Sequence, residues 1–391
     1  MLRQVFEYHP VIAYRFIPGL RVRVPHEGGG YLVRVNDSGF RCNHSFVAGK
    51  KSGVRRILLF GDSFTAGDGV SNEKRYGDLL EKKTPNLEVY NFALPGTGTD
   101  QQYLTYKEYA AGIEHDVLVI AVLVENIRRV SAHYRYYYNE NNVHVCYAKP
   151  YYELADGRLV LRNIPPAREP ILESALSEEE RNVIDRVALF PILRKLVSKI
   201  GRSPLLRELV ITSGMKDLVQ KIVHYQPVPE YGSRDNPAWR LMRAILEEWI
   251  SSHTGPVLLM PIPFYHYVMG ISEPQYQARL CEVASATDCV FYDPLPDLLK
   301  YPSEERRRFF FERDGHFTPE GHGALAACLK PVLEKLLDTP AQRSARRKLG
   351  PHEVRPDSAR MPAAEAGSSV PISVGVTAPA TSGNTSEEAY P

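Results

Sequence analysis

Cysteine is scarce in this chain: Cys42, Cys146, Cys281, Cys289 and Cys328 are scattered over 391 residues, odd in number and free of CxxC spacing. That excludes a disulfide framework and a cysteine-based zinc or redox site, and reads as buried thiols in a reducing compartment. An excess of one charge is also missing. With 48 Lys+Arg against 46 Asp+Glu the net charge is +2, so no long-range field points to nucleic acid or an anionic membrane as partner. No stretch approaches 18 uninterrupted apolar residues, and the opening segment meets Tyr8, His9 and Pro10 before any apolar core of signal-peptide length. A cytoplasmic protein without membrane insertion is expected. No repeat recurs at a period of 20–50 residues. The partner left by these exclusions is a small molecule or another protein.

What is present divides the chain into three parts. Residues 1–53 carry short apolar/polar alternations, Leu20 to Val24 and Tyr31 to Val35, between Gly- and Asn-rich turns, which predicts a β-rich N-terminal extension, or flap. Within 54–337, five short apolar runs are each followed by a turn and then a helical segment: RRILLF, LEVYNF, DVLVIAVLV, GPVLLMPIP and CVFYD. Continuous Val, Ile and Leu suit parallel strands buried on both faces, so an α/β domain is expected. The interval between the third and fourth runs is too long for a simple crossover. It predicts a cap-like insertion over about 134–250, Tyr-rich at first, with a capping box at Ser177–Glu180 opening a helix to about Ile200, a kink at Pro191, and helical segments at Leu205–Val210 and Trp239–Ile250. From 338 onward the chain turns to Pro, Ala, Ser, Gly and Thr and cannot offset its ordering entropy, so a disordered tail is expected. Its basic cluster (Arg343, Arg346, Arg347, Lys348) reads as a solvated charge run before a docking patch.

Four segments at strand ends carry chemistry. Gly61-Asp62-Ser63-Phe64-Thr65 puts a hydroxyl at the carboxyl end of the first strand, where open α/β sheets bind ligands; alone, the tripeptide is an ordinary turn. After the second strand, the loop holding Gly96 and Gly98 offers backbone N–H groups of the kind an acyl-transfer oxyanion requires; a tight turn would explain it equally. The third strand leads into Asn126, whose side-chain amide suits a further oxyanion donor. Near the end stands Arg313-Asp314-Gly315-His316, in which a carboxylate two residues before a histidine can fix its tautomer and stabilise the imidazolium. A lone histidine before a helix reads as a cap. Four such segments leaving one sheet edge reverse that reading.

In this order the four blocks resemble the SGNH/GDSL hydrolase superfamily, with Ser63, Gly96, Asn126 and His316 in the places that give the superfamily its name. The likeness covers about 54–337 without the insertion, and Val35 to Arg41 is similar to the segment that precedes the nucleophile block in many bacterial members. The resemblance implies a flavodoxin-like three-layer sandwich with a five-stranded parallel sheet of order 2-1-3-4-5. It further implies a Ser63–His316–Asp314 triad, an oxyanion hole from the Ser63 and Gly96 N–H groups and the Asn126 side chain, and no metal or organic cofactor. Two positions depart from the pattern. Glu125 and Ile127 replace the usual Gly and Asp beside Asn126, and Arg313 occupies the more common place of the acid; Asp314 is favoured because an Arg cannot accept the imidazole proton.

The expectation is therefore a serine esterase acting on a small O-acyl ester through an acyl-enzyme, with a carbohydrate-linked acetyl as the favoured example. An O-acyltransferase using the same acyl-enzyme is the near alternative, and a non-catalytic binding protein with the same fold is the distant one. His266, after the fourth strand, and Tyr137, in the cluster Tyr134, Tyr136, Tyr137, Tyr138, Tyr147, Tyr151 and Tyr152, are candidate substrate contacts, against loop and packing roles. Arg128 and Arg129 read either as contacts to an anionic substrate or as local charge. A metal site pairing His322 with His316 lacks a third ligand.

Overall fold

The structure, a computed structural model, describes residues 5–138, 144–182, 184–185, 220–221 and 225–338. The expected kink at Pro191, the helix at Leu205–Val210 and the tail with its basic cluster lie outside the described residues.

The chain opens with two antiparallel hairpins, β1 (Phe6–His9) with β2 (Ala13–Phe16) and β3 (Arg21–Val24) with β4 (Tyr31–Arg34). The five apolar runs form β5 (Arg55–Phe60), β6 (Leu87–Asn91), β7 (Val117–Leu123) and, beyond a long excursion, β14 (Val257–Ile262) and β15 (Val290–Phe291). All pairings among them are parallel, in the order β6-β5-β7-β14-β15, which is 2-1-3-4-5 in chain order. β7 is buried at all seven positions, as a central strand covered on both faces must be. Helices Tyr76–Lys83 and Pro319–Asp338 pack together on one side of this sheet. Thr99–Thr105, Pro237–Ser252 and Tyr276–Thr287 pack on the other. The α/β sandwich is thus the expected one.

The excursion holds β8 (Tyr134–Tyr138) and β9 (His144–Ala148), paired antiparallel, flanked by β12 (Ile171–Leu172) and β13 (Ile184–Asp185), with a separate hairpin of β10 (Tyr151–Ala155) and β11 (Arg158–Arg162). The Ser177 capping box forms: the Ser177 N–H donates to Glu180 Oε2 (2.8 Å) and the Glu180 N–H to Ser177 Oγ (3.2 Å). Its helix, expected to run to about Ile200, is described over Glu178–Asn182; Ile184–Asp185 pair with β8, and residues 186–200 lie outside the described residues. The helix read as Trp239–Ile250 spans Pro237–Ser252, and here the expectation of a cap fails. Trp239, Met242, Ile245, Leu246 and Trp249 are fully buried, and Trp249 meets Phe60 of β5 edge-on at 5.3 Å. It is the sheet-covering crossover helix before β14. Burial of each aliphatic side chain there contributes about 1.5–3 kcal/mol.

Two further expectations are corrected. The N-terminal segment is no flap: Phe6, Phe16, Val33 and Phe40 share the apolar core of the sandwich. Cys281 is exposed and Cys289 and Cys328 are only partly buried, so buried thiols describe Cys42 and Cys146 alone. Among the described residues no helix is long and apolar enough to cross a membrane.

Candidate active site

The carboxyl edge of the sheet gathers the chemistry-bearing loops. β5 ends and the chain turns at once into the helix Ser63–Ala66, capped by Asp62, whose Oδ1 accepts the Phe64 N–H at 3.1 Å. Gly61 is required at this turn, since a Cβ there would lie 2.3 Å from Thr65 Oγ1. As the first residue of a helix, Ser63 has an N–H without a carbonyl four residues back. Its Oγ lies 2.7 Å from His316 Nε2, and His316 Nδ1 lies 2.5 Å from Asp314 Oδ2. Serine, histidine and carboxylate therefore form one hydrogen-bonded chain across 253 residues of sequence. Burial opposes charge on His316. The hydrogen bond and charge of Asp314, joined by Asp68 and Asp62, outweigh burial and raise its pKa above the ordinary histidine value. Burial likewise opposes charge on Asp314, but the hydrogen bond and charge of His316, with His26 close by, hold it well below the usual carboxylate range.

The loop after β6 places Gly96 at φ +77°. Tyr14 Oη donates to Pro95 O at 2.5 Å. The Pro95 carbonyl and the Gly96 N–H share one planar peptide and point oppositely, so Tyr14 fixes the direction of that N–H. A Cβ on Gly96 would lie 2.5 Å from Arg135 Nη2, which shows that β8 of the insertion reaches this loop. Asn126, at the start of the helix Asn126–Arg129, is fully buried. Its Oδ1 accepts from Arg129 Nη1 at 3.2 Å, while Nδ2 is buried with no hydrogen-bond partner among the described residues. An amide held by its oxygen, with its nitrogen left to donate, is what an oxyanion needs.

Arg129 does more than serve Asn126. Nη1 also meets Asp62 Oδ2 at 2.6 Å and Thr97 O at 3.4 Å, and Nη2 meets Glu125 Oε2 at 3.2 Å. It joins the Ser63, Gly96 and Asn126 loops as a buried tie, which favours local charge over substrate contact, the two readings its sequence leaves open. Arg128 pairs with Glu230 at 2.6 Å. In the Gly96 loop's following helix, Asp100 forms a fully buried ion pair with Lys149 of the segment between β9 and β10.

Several site residues escaped the sequence reading. His26, in the β3–β4 turn, sets Nε2 3.2 Å from Asp314 Oδ2. Its neighbour Glu27 accepts the N–H groups of Arg313 (3.1 Å) and Asp314 (2.7 Å) through Oε1. Arg41, fully buried, donates to Gly67 O (2.8 Å) and Val70 O (2.7 Å) just beyond Ser63. Tyr14, His26, Glu27 and Arg41 all come from the N-terminal hairpins and their sequel.

The remaining candidates fall elsewhere. His266 lies on the helix Tyr265–Val268, its ring 5.4 Å from that of Tyr225 and 6.0 Å from that of Tyr265. Aromatic contacts run on from Tyr265 through Phe310 and Phe317 to Phe64 beside His316. Tyr134 donates to Glu180, Tyr151 stacks on His133 at 3.6 Å, and Tyr152 is buried against Tyr103. These tyrosines pack the insertion. Tyr137 sits in β8, and its side chain lies outside the described residues. His322 is buried, accepts the Tyr76 N–H at Nδ1 (3.3 Å) and is pushed down to about 3 by burial, with the charges of Arg75, Arg41 and His316. It acts as a neutral acceptor in the core.

Among solved structures, the chain is similar to TesA, at TM-score 0.36 and 12% identity over 72% of this chain and 99% of that one. It is also similar to a member of the lipolytic protein G-D-S-L family from Veillonella parvula, at TM-score 0.37 and 12% identity over 72% and 100% of the two chains. A two-domain esterase, CEX, active on acetylated mannans, aligns at TM-score 0.33 and 13% identity over 78% of this chain and 54% of its own. No protein-family profile matches the chain. No curated protein sequence matches it.

Proposed function

We propose that this protein is a serine esterase of the SGNH/GDSL type that cleaves small O-acyl esters through an acyl-enzyme on Ser63. The observation that carries the reading is the unbroken contact chain Ser63 Oγ–His316 Nε2 (2.7 Å) and His316 Nδ1–Asp314 Oδ2 (2.5 Å). Ser63 Oγ attacks the ester carbonyl carbon as its proton passes to His316 Nε2. The carbonyl oxygen becomes an oxyanion that the Ser63 and Gly96 N–H groups and Asn126 Nδ2 receive. His316 then returns the proton to the departing alkoxide, releasing the alcohol and leaving the acyl group on Ser63. Water attacks this acyl-enzyme, giving its proton to His316, and the carboxylic acid leaves as Ser63 regains its hydrogen.

Asp314 accepts from His316 Nδ1 throughout, which keeps Nε2 free to accept and stabilises the imidazolium when it forms. The buried, unpartnered Asn126 Nδ2 supports the oxyanion role, because an orphaned donor costs free energy unless it has a use. The test is hydrolysis of p-nitrophenyl acetate by the full chain. Release of nitrophenol and acetate in equal amounts, lost in Ser63→Ala, supports esterase chemistry. Turnover retained by Ser63→Ala would sink it.

A further inference from the structure

Asp314 has two histidine neighbours. His316 approaches Oδ2 from the Ser63 side at 2.5 Å and His26 Nε2 from the opposite chain end at 3.2 Å. The His26 side chain is 7% exposed and held by ring contacts with Phe311 (4.4 Å) and Tyr31 (5.8 Å). The Gly28 N–H donates to its Nδ1 at 3.3 Å. An imidazole that accepts at Nδ1 carries its hydrogen on Nε2, so the atom facing Asp314 is a donor. In the structure His26 Nε2 is buried without a hydrogen-bond partner among the described residues, its 3.2 Å approach to Oδ2 being off the line of a hydrogen bond; contacts of this kind tighten when substrate binds.

The adjacent residue works on the same loop. Glu27 Oε1 accepts the N–H groups of both Arg313 and Asp314. The loop is closed on itself by Phe311 N–H to His316 O (2.8 Å) and Gly315 N–H to Phe311 O (3.0 Å). Through Phe311 it leans on His26. Side chain and backbone of the acid are thus held from the β3–β4 turn, some 286 residues away in sequence.

We propose that His26 is a positioning residue of the active site, donating from Nε2 to Asp314 Oδ2 so that two histidines share the carboxylate and, with Glu27, fix its orientation toward His316. This rests on the serine-esterase reading. A second donor on Oδ2 spreads the negative charge that Asp314 offers to His316. Without it, more of that charge falls on the His316 imidazolium, and the base becomes harder to deprotonate. The other titratable groups facing the pair are Glu27 from the β3–β4 turn, Asp62 and Asp68 from the Ser63 loop, Tyr31 from β4 and His322 from the last helix, with Arg41 3.9 Å from Asp68. Substituting His26 leaves all of them in place.

The experiment is the pH dependence of kcat and KM for p-nitrophenyl acetate with wild type, His26→Phe and His26→Gln. Phe keeps the ring packing on Phe311 and Tyr31 and removes the donor; Gln restores an N–H. His26→Phe is expected to lower kcat about tenfold with little change in KM and to move the acid limb to higher pH. His26→Gln is expected to recover most of both. A His26→Phe enzyme with wild-type kcat and an unmoved limb would overturn the proposal, and so would a loss of kcat or of folding that His26→Gln fails to restore. A folded wild type with no esterase activity would overturn the underlying reading instead, and this proposal with it.

Discussion

Arg129 Nη1 lies 2.6 Å from Asp62 Oδ2, and Asp62 is completely sealed from solvent. The carboxylate caps the helix that begins at Ser63, and the guanidinium fixes the amide of Asn126. Ser63 and Asn126, the proposed nucleophile and oxyanion donor, are therefore oriented by one ion pair.

Removing one partner of such a pair leaves an uncompensated buried charge, at about 3–5 kcal/mol. Arg129→Met is expected to destabilise the protein by that order in urea unfolding, and Arg129→Met combined with Asp62→Asn to recover part of the loss. Additive losses would contradict the coupling.

In its proposed oxyanion role the Asn126 side chain is expected to bear on the reaction more than on binding. Asn126→Ala is expected to reduce kcat about 10²–10³-fold, the cost of one oxyanion donor, with KM nearly unchanged. Steady-state kinetics reads the split directly; a change confined to KM would place Asn126 at the ground-state substrate.

These two residues mark where sequence legibility ends. The strands were readable because each is a short continuous apolar run. The closeness of Asp314 and His316 could be anticipated because both lie on one short loop. Arg129 gave no sign of its role, since its partners Asp62 and Thr97 lie on loops that only the folded sheet brings to it. His26, Glu27 and Tyr14 sit in hairpins whose periodicity describes strands and says nothing of what the turns touch. The helix Pro237–Ser252 covers the sheet where its sequence suggests a cap, because the pattern shows a buried stripe but not the sheet that buries it.

His316 must be neutral to accept the Ser63 proton, and Asp314 raises its pKa. Turnover is therefore expected to fall as pH drops through a value above the ordinary ~6.5 of histidine. The stability linkage runs the other way: the folded state binds this proton more tightly than the unfolded chain, so the contribution is complete below ~6.5 and disappears as pH rises through the folded value. Urea unfolding of wild type and His316→Gln should show a stability difference that shrinks toward alkaline pH. A constant difference would contradict the His316–Asp314 coupling.

Gly96 has a left-handed backbone, φ +77°, and an added Cβ would displace the Arg135 guanidinium end beside it. Gly96→Ala is expected to cost about 1 kcal/mol from the backbone conformation alone and to lower kcat by shifting the N–H that Tyr14 directs. Tyr14→Phe, which frees the Pro95 carbonyl but leaves the glycine, should reproduce the kcat loss with a smaller change in Tm. Wild-type kcat in both variants would remove this peptide from the oxyanion site.

The central claim is that Ser63 is a nucleophile activated by His316. Fluorophosphonate labelling of the intact chain, followed by mass spectrometry of the modified peptide, tests it most directly. The account predicts one phosphonyl group on Ser63 in wild type, none in Ser63→Ala and slow labelling in His316→Gln. A folded wild type that takes no label, or takes it at another residue, would contradict it.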